Sequence, residues 1–338
     1  GARPMHEPAF WHRPSSLTSR LLTPLAAFYG AIAARRMARP GADAGVPVIC
    51  VGNYHTGGAG KTPTVLALVH MLRGLGETPF VLSRGYGGSL SGPLRVDAAR
   101  HTAAEVGDEP LMMAAHAPVV IARDRVAGAK LARGEGASVI VMDDGFQNPA
   151  LRKDFSLIVV GGGRGLGNGR VFPAGPLRAP LAPQLARTDV LLVIGEGRAA
   201  SDLERTLAGR SVPVFHARVT PDTEIVAPLR GQRVLAFAGI GDPGRFFDTL
   251  RAHGIEVAAE RRFPDHHRFT KDELWALRAE ATRGELVLVT TEKDFARLSD
   301  SELAPLKDGI TPLPVTLRFD DEARLRELIA ARLRGATG

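Results

Sequence analysis

Lys61 and Thr62 lie near the end of the string G-N-Y-H-T-G-G-A-G-K-T-P-T, which runs from Gly52 to Thr64. An ammonium and a hydroxyl behind several glycines can hold phosphates. Glycine backbone N–H groups approach closely, the lysine reaches the β- and γ-phosphates, and the hydroxyl reaches Mg²⁺. The strict pattern G-x-x-x-x-G-K-[ST] wants a glycine at position 55, where His55 stands. Gly57, Gly58 and Gly60 still provide close approach. Thr56, Gly57, Gly58, Ala59, Gly60, Lys61 and Thr62 are therefore the expected nucleotide-binding residues. A glycine turn with an incidental G-K-T is the competing reading, and a strand before it and a helix after it count against that.

Three further groups could do chemistry. V-I-V-M-D-D (Val139 to Asp144) is an apolar strand ending in carboxylates, at the edge a phosphate loop faces. Mg²⁺ bound to a nucleotide takes one or two such oxygens. Adjacent strand residues point in opposite directions, so one of the two aspartates is expected on the ion. G-D-E-P (Gly107 to Pro110) sets two acids before a short apolar segment, a pattern that also serves as capping. F-P-D-H-H-R-F (Phe263 to Phe269) puts Asp265 beside His266 and His267, where a carboxylate could orient an imidazole. A solvated polar turn is the bland alternative. Two tests for a guanine-nucleotide switch fail, because Met142 occupies the acid position of D-x-x-G and T-E-K-D has lysine directly before Asp294. D-H-H also marks one phosphoesterase class, but the D-x-D partner it needs is missing. The glycine-rich stretch after residue 160 contains no G-x-G-x-x-G, so a dinucleotide fingerprint is rejected.

These groups need a framework. Short apolar runs at Val48–Val51, Phe80–Leu82, Pro118–Ala122, Ser138–Met142, Phe155–Val160 and Val190–Ile194 read as buried strands, with helical segments between several of them. That alternation predicts a parallel sheet covered on both faces. A helix is expected from Gly60 and another through Ala127 and Leu131. Residues 161 to 187 are rich in Gly, Pro and Arg and read as a long functional loop. A second α/β unit begins near Val234, with a helix over Pro243–His253, a strand over Leu286–Thr290 and a final amphipathic helix over Asp321–Leu333. Pro213, Pro221 and Pro228 punctuate the boundary, placed between about 215 and 232. The expected division is 1–40, 41–220 and 221–338.

A chain of 338 residues suits two α/β domains, and 44% hydrophobic with 23% charged residues is ordinary globular composition. A single cysteine, Cys50, allows no internal disulfide and fits a reducing compartment. The net charge of +7 suits polyanions, whether nucleic acid, anionic lipid or a phosphorylated substrate, although arginine richness can also be a genome-composition effect. Aromatic residues make up only 6% and none interleave a basic run, so nucleic acid is not expected as a partner. Residues 21–34 (L-L-T-P-L-A-A-F-Y-G-A-I-A-A) are too few to span a bilayer and are followed by Arg35, Arg36 and Arg39. They read as a helix lying in a membrane interface, with Trp11, Phe28 and Tyr29 at headgroup depth and the arginines on anionic phosphates. A helix packed on the protein's own core is the alternative. Residues 1–4 precede Met5 and read as an addition or as the tail of an upstream start.

In chain order, T-G-G-A-G-K-T-P, S-R-G-Y-G-G, V-G-D-E-P, D-D-G-F-Q, R-G-L-G-N-G-R-V-F-P-A-G-P-L-R, F-A-G-I-G-D-P-G-R-F-F, F-P-D-H-H-R-F and T-T-E-K-D-F closely resemble the tetraacyldisaccharide 4′-kinase family, the lipid A 4′-kinases of Gram-negative bacteria. The resemblance covers roughly residues 20 to 335. It implies transfer of the γ-phosphate of ATP, with Mg²⁺, to the 4′-hydroxyl of a tetraacylated glucosamine disaccharide 1-phosphate, giving lipid IVA. The setting it implies is peripheral, at the cytoplasmic face of the inner membrane. It also implies a P-loop α/β/α domain joined by a β-ribbon linker to a smaller α/β/α domain. Carried over residue by residue, it assigns Lys61 and Thr62 to the phosphate loop and Asp108 to the acid that deprotonates the hydroxyl. A histidine assists Asp108, here His266, with Asp265 beside it. Thr62, Glu109, Asp144 and Gln147 fall at the metal, and Arg84 and Tyr86 at the substrate. The sequence departs from the family at His55, at Asn148 where a histidine is usual, and at the glycines 161–163 where an acid is frequent. A membrane-associated ATPase switch acting on a protein partner, or a nucleotide-binding subunit without chemistry, would share the loop and the N-terminal segment. Neither accounts for the D-H-H element.

Overall fold

A computed structural model describes residues 7–13, 16–58, 60–299 and 302–336. Ala59, residues 1–6 and Met5 with them lie outside the described residues. The apolar runs form strands β1 (Val48–Gly52), β2 (Pro79–Ser83), β4 (Val119–Ile121), β5 (Val139–Asp143), β6 (Phe155–Gly161) and β7 (Val190–Ile194). Nearly every residue in them is buried, as strands covered on both faces must be. With β3 (Leu94–Arg95), β8 (Val214–Pro221) and β13 (Val315–Phe319), they make a nine-stranded sheet in the order β13-β8-β7-β6-β1-β5-β2-β4-β3. The pairs from β8 through β4 are all parallel. Alternation along β1 sends Ile49 and Val51 into one core, with Leu68 and Val69. Val48 and Cys50 enter the other, with Ala129 and Ile140. Burial pushes the Cys50 thiol up to about 12, so it is an inert packing group.

The smaller unit is a parallel sheet of four strands in the order β10-β9-β11-β12, with β9 Arg233–Ala238, β10 Glu256–Arg262, β11 Val287–Thr291 and β12 Ile310–Leu313. The chain leaves the larger sheet along β8 and returns along β13, and these two strands pair antiparallel from Val315↔Pro221 to Phe319↔Ala217. They form the ribbon between the domains. The expected division at 221–338 therefore needs correction at its end. The final helix, Glu322–Ala336, buries Leu325 and Ile329 in the same core as Leu68 and Val69, so it belongs to the larger domain.

β1 sits where successive connections diverge to either side, with β6 on one flank and β5 on the other. In open α/β sheets ligands bind at the carboxyl ends of strands at such a point.

At the N-terminus, Leu17–Leu21 and Thr23–Met37 are helical. Ala26, Gly30 and Met37 face the protein, while Leu21, Leu25, Phe28 and Ile32 are 73%, 56%, 68% and 53% exposed. Their spacing of four, three and four residues places them in one stripe along the helices. The expectation for Trp11 is overturned. Its side chain is buried, its indole N–H donates to Pro173 O at 3.1 Å and its ring packs edge-on against Phe172. Trp11 anchors the N-terminal segment to the protein rather than to a headgroup layer. No helix among the described residues is long and apolar enough to cross a membrane.

Candidate active site

The phosphate loop joins β1 to the helix Lys61–Gly74. Gly60 is the N-cap of that helix at φ +85°, and a Cβ there would stand 2.8 Å from Ile194 Cδ1. The positive φ is what favours glycine here, since the Ile194 tip could shift aside. Lys61 begins the helix and Thr62 follows, in the turn where free N–H groups favour anions. Thr56 is pinned by its N–H to Pro176 O at 2.9 Å. Its carbonyl accepts from Arg164 Nη2 at 3.0 Å, and Arg164 also grips Glu7. Gly57, at φ +93°, faces Glu7 and Arg164, while Gly58 borders open space. The long loop and the N-terminal segment thus brace this turn. His55 is fully buried, and burial is the main reason its imidazole is pushed down to about 4. The odd residue of the loop is a neutral packing group at neutral pH.

Across from the loop, β5 ends in Asp143, and Asp144 turns out of the strand at φ +52°. Arg178 pairs with Asp144, Nη1 to Oδ1 at 2.5 Å and Nη2 to Oδ2 at 3.2 Å, and Lys61 Nζ lies 3.6 Å from Asp144 Oδ1. Burial raises the Asp144 carboxyl, but Lys61 and Arg178 outweigh it and hold it below its ordinary range. Asp143 behaves oppositely. Burial, with Glu109 and Asp144 nearby, pushes it up to about 7. Its Oδ2 accepts from Ser83 at 3.3 Å, and its Oδ1 is buried without a hydrogen-bond partner. An unpaired buried carboxylate oxygen among other carboxylates fits a cation ligand. Gln147 spends its amide nitrogen on Asn53 O and Gln184 Oε1, leaving Oε1 as its available donor to a metal. Among the described residues no three His, Cys, Asp or Glu groups form a ready-made metal cage. Mg²⁺ bound to a nucleotide takes one or two carboxylates and completes its shell with phosphates and water.

Asp108 and Glu109 open the helix Asp108–Ala114. From the smaller domain, His266 Nδ1 meets Asp108 Oδ2 at 2.9 Å, and an ionised carboxylate can only accept, so the imidazole donates. Burial raises the Asp108 carboxyl. The hydrogen bond from His266 and the charges of Arg297 and Lys293 outweigh it and hold the group well below the usual carboxylate range. His266 sits at φ +57°, with its own N–H on Asp265 Oδ1 at 3.0 Å and its Nε2 3.8 Å from Asp265 Oδ2. His267 turns the other way, stacking on Phe263 and bonding Glu273 at 3.0 Å. The two adjacent histidines are thereby told apart. Glu109 accepts from Lys293 at 3.2 Å. Tyr86 is exposed with its ring edge toward His266, centroids 6.4 Å apart, and Arg84 is exposed just beyond the end of β2. Asn148 serves a turn, accepting from Ala150 N–H at 2.9 Å.

The fold thus gathers Asp108, His266, Asp265 and Tyr86 in one cluster and Lys61 and Asp144 in another, with Glu109 near Asp143. Sequence reasoning missed four participants. Asp143 was visible in D-D, but which aspartate faces inward depends on where the strand ends. Arg178, Lys293 and Arg297 reach the site from a long loop and from another domain, and no spacing announces them.

The sequence model of the family described as tetraacyldisaccharide-1-P 4′-kinase matches residues 18–334. The tetraacyldisaccharide 4′-kinase of Bradyrhizobium diazoefficiens is 66% identical over 329 residues, covering 97% of this chain and 97% of that protein. The enzyme of the same name from Nitrobacter winogradskyi is 64% identical, covering 96% and 97%. A crystal structure of the "apo" form of LpxK from Aquifex aeolicus in complex with ATP superposes with a TM-score of 0.72 at 27% identity, covering 94% of this chain and 100% of that one. The chain belongs to the tetraacyldisaccharide 4′-kinase family.

Proposed function

We propose that this protein transfers the γ-phosphate of ATP to the 4′-hydroxyl of a tetraacylated glucosamine disaccharide 1-phosphate, yielding lipid IVA in lipid A biosynthesis. The observation that carries the chemistry is the Asp108–His266 pair, assembled from two domains at a phosphate-loop crevice. Phosphoryl transfer asks a protein mainly for positioning and charge stabilisation. Thr56, Gly57, Gly58, Gly60, Lys61 and Thr62 cradle the nucleotide phosphates, and Ala59 completes that loop in sequence. Asp108 accepts the proton of the acceptor hydroxyl, and His266 fixes the carboxylate and shares its charge, with Asp265 steadying the imidazole. Arg84 and Tyr86 face the acceptor sugar. Thr62, Gln147 and one or two of the carboxylates Asp143, Asp144 and Glu109 would hold Mg²⁺, which when bound offsets charge on the β- and γ-phosphates.

The stripe of Leu21, Leu25, Phe28 and Ile32, followed by Arg35, Arg36 and Arg39, suits an anionic membrane surface. It supports a peripheral position at the cytoplasmic face of the inner membrane, where acceptor lipid and ATP meet. No observation favours an ATPase switch acting on a protein partner. The test is radiolabelled ATP with tetraacyldisaccharide 1-phosphate in detergent. A 4′-phosphorylated lipid is expected, with little ATP hydrolysis when the lipid is left out. No labelled lipid, or brisk lipid-independent hydrolysis, would refute the reading.

A further inference from the structure

The T-E-K-D-F segment carries Lys293 and ends two residues before Arg297. It forms the end of β11 and the helix Glu292–Arg297, which packs on the helix Asp108–Ala114 of the other domain. Arg297, whose side chain is 6% exposed, sends Nε and Nη2 to the same oxygen, Asp108 Oδ2, at 2.9 and 2.7 Å. Its Nη1 reaches Gly239 O and Asp294 Oδ1, both at 2.6 Å. Asp294 is itself fully buried and fixed by Thr291 Oγ1 at 2.7 Å and Gly239 N–H at 3.0 Å. With His266 Nδ1, Oδ2 receives three donors. Oδ1 is turned toward Gly87, in the S-R-G-Y-G-G turn that carries Tyr86.

We propose that Arg297 is a positioning residue for the transfer. By saturating Oδ2 from the smaller domain, it presents Oδ1 of Asp108 to the acceptor hydroxyl and aligns the carboxylate only when the domains are docked. The inference rests on the kinase reading, with Asp108 as the proton acceptor. Docking has other contacts, since His116 Nε2 meets Glu292 at 2.9 Å and Lys293 meets Glu109 at 3.2 Å. The His116–Glu292 pair is exposed and contributes little. The buried guanidinium is different, because its planar fork makes bonds in fixed directions that an ammonium cannot copy.

The experiment measures kcat, KM for ATP and melting temperature for Arg297→Lys, Asp108→Asn, the double variant and His116→Ala. Arg297→Lys is expected to lose roughly 10–100-fold in kcat, the scale of an ångström's misplacement, with KM for ATP nearly unchanged. In the Asp108→Asn background the same change should cost nothing further, since both act through one carboxylate. His116→Ala, which weakens docking alone, should keep its kcat. Wild-type kcat in folded Arg297→Lys, or an equal loss in the Asp108→Asn background, would overturn the positioning role. If Asp108→Asn also retains full turnover, it is the proton-acceptor reading that falls. Should Arg297→Lys not fold, Asp294→Asn reads the same quantity, because it leaves the guanidinium in place but loosens its hold. A folded Asp294→Asn with unaltered kcat would then count against the proposal.

Discussion

His266 Nδ1 lies 2.9 Å from Asp108 Oδ2, although the two residues sit 158 positions apart and in different domains. The carboxylate is the acceptor, and the imidazole holds one of its two oxygens.

Residues that work as one unit lose activity together rather than additively. Asp108→Ala is expected to lower kcat by roughly 10²–10⁴-fold, the usual worth of a positioned base, with little change in ATP affinity. His266→Ala should give a smaller loss, and the double variant should be no slower than Asp108→Ala. Steady-state kinetics with separate ATP titrations check this. A double variant that multiplies the two single losses would show that the residues act independently.

His55 makes the phosphate loop sensitive to acid through stability rather than catalysis. Its imidazole is pushed down to about 4, so the folded protein leaves it neutral while the unfolded chain protonates it near pH 6.5. The unfolded state therefore binds the extra proton, and stability is lost as pH falls from about 6.5 toward 4. His55→Thr removes this loss. The drop in melting temperature between pH 7.5 and pH 5 should be smaller in the variant than in the parent protein. Equal drops would mean that His55 is not responsible.

The exposed stripe on the N-terminal helices predicts membrane binding that can be removed without unfolding. Leu25 and Phe28 are 56% and 68% exposed, so charged residues there disturb no core. Burying one such side chain is worth about 1.5–3 kcal/mol at most. Leu25→Glu with Phe28→Glu should weaken sedimentation with phosphatidylethanolamine–phosphatidylglycerol vesicles by about 10-fold or more, since 1.4 kcal/mol is a factor of ten. Melting temperature should stay the same. Undiminished vesicle binding by the folded variant would move the membrane contact elsewhere.

Much was legible before any coordinates. Apolar runs such as V-I-C-V and V-I-V-M announce parallel strands because burial on both faces leaves no polar position to interrupt them. Lys61, Thr62 and the neighbouring glycines are local, so their spacing alone carries the loop. The polar and edge strands were not legible. Glu256–Arg262 reads E-V-A-A-E-R-R, and Ile310–Leu313 carries Pro312 at the edge of its sheet. Such segments become strands through their partners, not through their own pattern.

What the sequence by itself determined is the glycine–lysine loop and the sheet that carries it, because both depend on neighbours a few residues away. Only the tertiary structure decided which histidine of the D-H-H pair faces Asp108, that Trp11 is buried, that the final helix returns to the larger domain, and that Arg297 holds the Asp108 carboxylate. Each of these depends on contacts between segments far apart in the chain. Side-chain direction at a domain junction follows from how two cores dock, and no local periodicity records that.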